Sequence, residues 1–386
     1  MSTPVNFSLE DQQQLRQTIE AVAHKRVAPR AAEIDAKAEY PQDMFDLLKE
    51  MGLFALPFPA EYGGTGSSVA ACIAVEELGR FCYNTGYLLI TQWGPVGAIL
   101  AGGREDQKAK YLNGLLKGDL RAALSVTEPG GGSDVANIIT RADKRPGGYA
   151  LTGTKIFATN SSVADFVLVA AKTSPGRGHN NIGLFIMGKG TPGFLVARHE
   201  NKLGARGVPS CELRFDEAFV PEENVLGEGS KGFKLVMEAF NRTRPIIGAR
   251  GVGLARGALE LATRFVKERQ AFGQSVSEFQ GIQWMLADMQ MQIEAARLLV
   301  YKAAGMVDQG VSGKALAPWA AMAKCFATDM AMKVATDAVQ LFGSAGISKD
   351  NPIERYFRDA KVTQIIEGTN QIQRNIIGRY VIDTLG

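Results

Sequence analysis

The chain changes its hydrophobic periodicity twice. Up to about residue 120, apolar positions recur at helical spacing. Leu15, Ile19 and Val22 follow a Ser8 and Asp11 pair that resembles a capping box. Phe45, Leu48 and Met51 share one side of a segment that Pro41 can start and Gly52 can stop. Further helices are expected near 69–79, 87–101 and 105–116, with a Pro- and Gly-rich loop at 58–66. From about 121 to 226 the pattern shortens into apolar or β-branched runs at 149–157, 165–171, 181–187 and 211–220, which read as strands. Pro146-Gly147-Gly148 and Pro175-Gly176 mark turns between them. Beyond about 232, long amphipathic segments at 233–268, 280–306 and 318–341 suggest an antiparallel bundle. The expected fold is α+β and mainly α, with an N-terminal helical domain (1–120), a central β domain (121–230) and a C-terminal helical bundle (231–386). This order does not fit the βαβ alternation of a dinucleotide-binding domain.

Composition narrows the function classes. Apolar residues make up 46% and charged residues 22% of 386 positions, as in ordinary globular proteins. The net charge of +3 is dispersed and gives no basis for a nucleic-acid or membrane partner. No apolar run reaches the length of a membrane span, and the N-terminal stretch MSTPVNFSLEDQQQL lacks signal-peptide organisation, so a cytoplasmic protein is expected. Cys72, Cys82, Cys211 and Cys325 are scattered and read as buried free thiols. His24, His179 and His199 lie far apart, so neither a metal site nor a Ser-His-Asp arrangement is expected.

Candidate chemistry lies in five stretches. In IIEGTNQIQR (365–374), Glu367 follows two isoleucines, which suggests a desolvated carboxylate with a raised pKa and hence a better proton acceptor. Thr369 can cap the following helix, whose apolar face would be Ile372, Ile376 and Ile377. VTEPGGGSD (126–134) offers a glycine run whose backbone N–H groups could hold phosphate oxygens or the polar edge of a flat ring, although a long turn has the same composition. In GTKIFATN (153–160), Phe157 and Thr159 would share a strand face, an aromatic beside a hydroxyl. ERQAFGQ (268–274) places Arg269 and Phe272 at a helix end, suited to a phosphate and an adenine. QLFGSAGISKDNPIERYFRDAK (340–361) breaks a helix at Gly343 and Gly346 and leads into the Glu367 segment.

In this order and spacing, these stretches resemble the acyl-CoA dehydrogenase family over essentially the whole chain. The resemblance implies a helical domain, a β domain and a four-helix bundle, with FAD between the last two. Val126, Thr127, Gly132 and Ser133 would contact the flavin and its ribityl-phosphate part, and Phe157 and Thr159 would flank the isoalloxazine near N5. Arg269, Phe272, Gln340 and Gly343 would bind the FAD of a neighbouring subunit, and Thr369 and Gln371 would complete the site near the pyrophosphate. Sharing of this kind implies a homotetramer built as a dimer of dimers. Glu367 matches the base that removes the α-proton of an acyl-CoA while the β-hydrogen leaves as hydride to flavin N5. The backbone N–H of the base and a ribityl hydroxyl would polarise the thioester carbonyl. The product would be the trans-2-enoyl-CoA, and electrons would pass to an electron-transferring flavoprotein. The same fold also hosts oxidases and thioester lyases.

For the substrate, the resemblance points to Arg244 in contact with the CoA part, with Asn241 and Ser133 as weaker candidates, and to Ile366 and Gly368 beside the base. Some relatives carry the base at the position of Thr243, a residue that cannot act as one. Gly343-Ser344 stands where the family often has Gly-Gly, and Ile366 where some straight-chain relatives have Tyr. Trp93, if turned inward, would shorten the acyl pocket and favour short, branched or cyclic groups; otherwise it packs in the interdomain core. Arg250 and Arg80 could meet a charged acyl tail, but the sequence does not aim them.

Overall fold

A computed structural model describes residues 7–176 and 178–385; the first six residues, part of the stretch read above for targeting, fall outside. The N-terminal part consists of α1 (Leu9–Val22), α2 (Ala31–Lys37), α3 (Gln42–Glu50), α4 (Ser68–Phe81), α5 (Tyr83–Gly102) and α6 (Glu105–Lys117). Ser8 caps α1 and closes the reciprocal box with Asp11. Pro41 precedes α3, and Gly52 follows it at φ +67°.

Strands β1 (Ala122–Ser125), β2 (Arg141–Arg145), β3 (Gly148–Thr159), β4 (Phe166–Lys172), β5 (Ile182–Gly188), β6 (Phe194–His199), β7 (Ser210–Pro221) and β8 (Val225–Leu226) form an eight-stranded sheet. The order is β6-β7-β3-β2-β4-β5-β8, with β1 parallel to β4. The periodicity reading did not assign β1, β2, β6 or β8. The first and last are short, β2 is RADKR with only Ala142 buried, and β6 is a partly exposed edge. A bulge interrupts β3 against β7 between Lys155 and Ala158, both of which turn inward, and Phe157 sits between them at φ +52°. Alternation breaks between Lys155 and Ala158, while Phe157 and Thr159 lie outward on either side of the buried Ala158.

After the sheet come α7 (Gly232–Glu268), the small hairpin β9 (Gln270–Ala271) and β10 (Gln274–Ser275), then α8 (Gln280–Asp308), α9 (Gly313–Phe342), α10 (Ile353–Thr363) and α11 (Asn370–Leu385). Helices from the two ends of the sequence share one apolar core, in which Ile19, Leu78 and Trp93 join Val252, Ala327 and Val334. The sheet keeps its own core around Leu151, Val169, Phe185 and Leu213. All four cysteines are free and buried. Among the described residues, no helix is long and apolar enough to cross a membrane.

The contact of α4 with α7 depends on glycine. A Cβ added at Gly253 would lie 2.1 Å from the Glu76 carbonyl oxygen, and one at Gly257 would lie 2.2 Å from that of Arg80. Around the same contact the buried Glu76 and Glu77 accept from Arg256 (2.6 and 2.7 Å) and also pair with Arg16. Gly253→Ala is expected to destabilise the fold by about 2 kcal/mol through overpacking. The check is a lower urea midpoint at unchanged m-value.

Candidate active site

Glu367 sits at the tip of the turn between α10 and α11, at φ +52°, followed by Gly368 at φ +90°. A left-handed conformation at a glutamate is uncommon and persists only where surrounding contacts hold it. Here α9 holds the turn from below. The Lys324 ammonium donates to the carbonyls of Gln364 (3.2 Å) and Gly368 (3.0 Å) and to Asn370 Oδ1 (2.8 Å). Asn370 Nδ2 donates to Thr328 Oγ1 (2.9 Å) and Asp329 Oδ1 (2.6 Å), and Gln364 Nε2 donates to the same Asp329 oxygen (2.6 Å). From α11, Gln373 Nε2 donates to the Gly368 carbonyl (2.9 Å). Sequence reading passed over Lys324, Asn370 and Gln373. A lone lysine in the Ala-rich run AAMAKCFATDMAM was the signal that could have flagged the first.

The carboxylate of Glu367 accepts from Thr243 Oγ1 of α7 at 2.5 Å. Burial raises its pKa, and the Thr243 hydroxyl, Arg250, Arg244 and Lys324 pull it down in turn. The desolvation does not come from the isoleucines that suggested it. Ile365 is 54% exposed and Ile366 only half-buried. It comes from α7 and α9 packing around the turn. Burial also pushes the Arg244 guanidinium down to about 10 and the Lys324 ammonium down to about 7.

Arg244, Gly368, Gly132 and Ser133 line one cavity of about 330 Å³, together with Phe233, Met237, Phe240, Ile372 and Arg379. Arg244 Nη1 is steadied by Asn241 Oδ1 at 2.7 Å. The cavity is apolar along α7 and basic where Arg244 and Arg379 meet it, with the His179 ring stacked on Phe233 (4.1 Å). A larger groove of about 840 Å³, bordered by His24, Arg80, Arg264 and Tyr356, shares none of these residues.

The second part of the site is the face formed by the loop after β1 and the end of β3. Ile156 N–H donates to the Thr127 carbonyl (2.9 Å) and ties the two together. Glu128 is buried, pairs with the fully buried Lys155 (2.8 Å) and accepts from the N–H groups of Ile139 and Thr140. This network fixes the loop that carries Val126, Thr127, Gly132 and Ser133. Beside it Phe157 is 54% exposed and Thr159 partly so, with the Thr159 hydroxyl 3.2 Å from that of Ser210.

The remaining sequence candidates separate from this centre. Phe265 and Phe342 stack at 4.2 Å and hold the ends of α7 and α9 together, so Arg269, Phe272, Gln340 and Gly343 share one exposed end of the bundle. Phe272 is 96% exposed at φ +52°. Thr369 receives a weak bond from Ile372 N–H (3.4 Å), and Gln371 is exposed on α11. The expected apolar face of α11 is only half-buried, and its buried residues are Asn370 and Gln373. Trp93 does not line the cavity. It is 2% exposed and its indole N–H donates to the Phe54 carbonyl (2.9 Å), which places it in the helical core. A shortened acyl pocket cannot be argued from it.

The Thr243 bond has a pH consequence. A base at Glu367 works as the carboxylate, so activity falls as pH drops through its raised pKa. Thr243→Val removes a donor that stabilises the charged form. The acid limb of the kcat/KM profile should move to higher pH, read by rate measurements across the acidic range.

The chain matches known proteins over nearly all of its length. Three family descriptions match the chain: "Acyl-CoA dehydrogenase, N-terminal domain" over residues 9–119, the middle domain over 123–218 and the C-terminal domain over 230–382. A probable acyl-CoA dehydrogenase of Mycobacterium leprae is 44% identical over 97% of this chain and 96% of its own. The cyclohexane-1-carbonyl-CoA dehydrogenase of Geobacter metallireducens is 43% identical over 95% and 96%. Butyryl-CoA dehydrogenase from Megasphaera elsdenii superposes with a TM-score of 0.93 at 38% identity, covering 98% of this chain and 100% of the other. With matches of this extent to every part of the molecule, the chain belongs to the acyl-CoA dehydrogenase family of oxidoreductases.

Proposed function

We propose that this protein oxidises an acyl-CoA thioester to the trans-2-enoyl-CoA, with Glu367 as the base for the α-proton. The observation that carries the reading is the left-handed Glu367 turn, clamped from α9 and hydrogen-bonded to Thr243. The Glu367 N–H makes no bond to a backbone carbonyl among the described residues, so it can donate to a thioester oxygen. Arg244 and Arg379 give the cavity the charge to receive the phosphates of CoA. Phe233, Met237 and Phe240 suit its pantetheine arm and keep water from the base.

The platform of Val126, Thr127, Phe157 and Thr159 fits FAD, because a rigid loop of backbone N–H groups lies beside an uncovered aromatic ring. Bound there, FAD supplies the acceptor for the β-hydride. The electrons then go to an electron-transferring flavoprotein. Arg269, Phe272, Gln340 and Gly343, exposed together, suit the FAD of a neighbouring subunit. Trp284, Met291 and Leu298 recur every seventh position on α8 and are 63–74% exposed, an apolar stripe that a second copy would cover in a homotetramer.

The test is purified protein with its flavin, screened anaerobically against a panel of acyl-CoA thioesters and then with an artificial electron acceptor. Bleaching of the flavin and turnover with an acyl-CoA are expected. If no thioester bleaches the flavin, the reading is wrong.

A further inference from the structure

Arg250 lies on α7 less than two turns beyond Thr243 and is wholly buried. None of its three guanidinium nitrogens has a hydrogen-bond partner among the described residues. Its guanidinium carbon lies 4.2 and 4.0 Å from the centroids of the Tyr83 and Tyr87 rings of α5, which contact it from adjacent sides. The Tyr83 hydroxyl is also buried and unpartnered. On α4, Gly79 leaves room for the Arg250 stem, since a Cβ there would lie 3.4 Å from Arg250 Cγ. This cluster adjoins the proposed reacting groups: Tyr87 lies near Thr159 of the flavin platform, and the charge of Arg250 acts on Glu367.

The neighbouring cations differ from it. Lys324 is bonded to three acceptors, Arg244 to Asn241, and Arg80 to Glu20 and Glu260. With no hydrogen-bond partner on any of its nitrogens among the described residues, Arg250 does not bond Glu367, so holding that carboxylate does not account for its donors. A guanidinium out of water with every donor idle is unfavourable unless something else accepts from it.

We propose that Arg250 recognises the acyl group, and that the acyl group carries a carboxylate at the end remote from the thioester. This rests on the function proposed above and names the substrate class for the same site. Arginine suits the task because its planar fork matches a carboxylate bidentately and stays charged when buried. The two tyrosine rings, tilted 59° to each other, hold the guanidinium in place before substrate enters, which lowers the ordering cost of binding. The reaction itself is unchanged. The α-proton goes to Glu367, the β-hydride and its electron pair go to FAD, and the remote carboxylate is retained in the enoyl product.

The experiment compares flavin reduction by glutaryl-CoA and adipoyl-CoA with that by valeryl-CoA and hexanoyl-CoA, using the FAD-loaded protein and Arg250→Met and Arg250→Lys variants. The parent should favour the carboxylated thioesters by about 100-fold in kcat/KM, as expected for a buried charged contact. Arg250→Met should reverse that preference while still reducing with the uncharged series, and Arg250→Lys should restore part of it. A parent that reduces only with the uncharged thioesters overturns the inference and leaves the proposed function standing. Equal losses on both series in Arg250→Met also overturn it, assigning Arg250 to the base alone. If no thioester of either series reduces the flavin, both readings fail. The parent's own preference decides the question even if a variant does not fold.

Discussion

Glu367→Gln should lower the rate of flavin reduction by acyl-CoA by about 10³- to 10⁴-fold, the contribution of a positioned general base. The substitution keeps the volume and both hydrogen-bonding ends of the side chain. The amide can still accept from Thr243, so the turn and its left-handed residue should survive. FAD content and thermal midpoint should therefore match the parent. Removal of a buried carboxylate with a raised pKa also takes away an unfavourable group, so the variant is not expected to be less stable. Single-turnover reduction under anaerobic conditions checks the claim. A variant that still bleaches at the parent rate would move the base elsewhere, with Asp134, the carboxylate that lines the cavity beside Gly368, as the next residue to test.

Lys324→Met should damage both stability and rate. Methionine fills a similar volume but leaves the Gln364 and Gly368 carbonyls and Asn370 Oδ1 without their shared donor. Lost buried partners of this kind, offset by relief of the buried ammonium, suggest a net destabilisation of about 3 kcal/mol. Because those carbonyls flank Glu367, kcat should fall with them while FAD remains bound. The effect has a pH signature. In the native protein Lys324 binds its proton only up to about 7, whereas the unfolded chain holds it to the ordinary lysine value. Between those limits the unfolded state binds more protons, so this group's contribution to stability rises with pH. The stability gap between parent and Lys324→Met should therefore widen above neutrality, measured by denaturant titration at a series of pH values. A gap that narrowed would contradict the buried-ammonium account.

Several elements were legible because their signals are local. The capping pattern of Ser8 and Asp11, the stop at Gly52 and the long helices after the sheet need only neighbours within a few residues. Strands rich in apolar residues were equally plain. RADKR was not, because a strand with one buried side chain carries little periodic signal. The bulge before Ala158 was not legible either, because a bulge is a property of two paired strands. Trp93 left two readings open, and its bond to the Phe54 carbonyl on another segment placed it in the core.

The candidate site divides in the same way. Its motifs, and the place of Glu367 among them, could be read along the chain. Its electrostatics could not. Thr243 and Glu367 are 124 residues apart, and Lys324 and the Gly368 carbonyl 44. Ile365, next but one to the base, turned out to be exposed, while distant helices supplied the burial.

By itself the sequence determined the order of helical, β and helical parts, because periodicity and turn chemistry act between near neighbours, and it singled out the stretch that holds Glu367. Only the tertiary structure decided that Glu367 is desolvated, that Lys324 clamps its turn and that Arg250 stands buried against two tyrosines with its donors free. Those properties depend on which groups lose water and which partners replace it, and that is set when distant segments pack together.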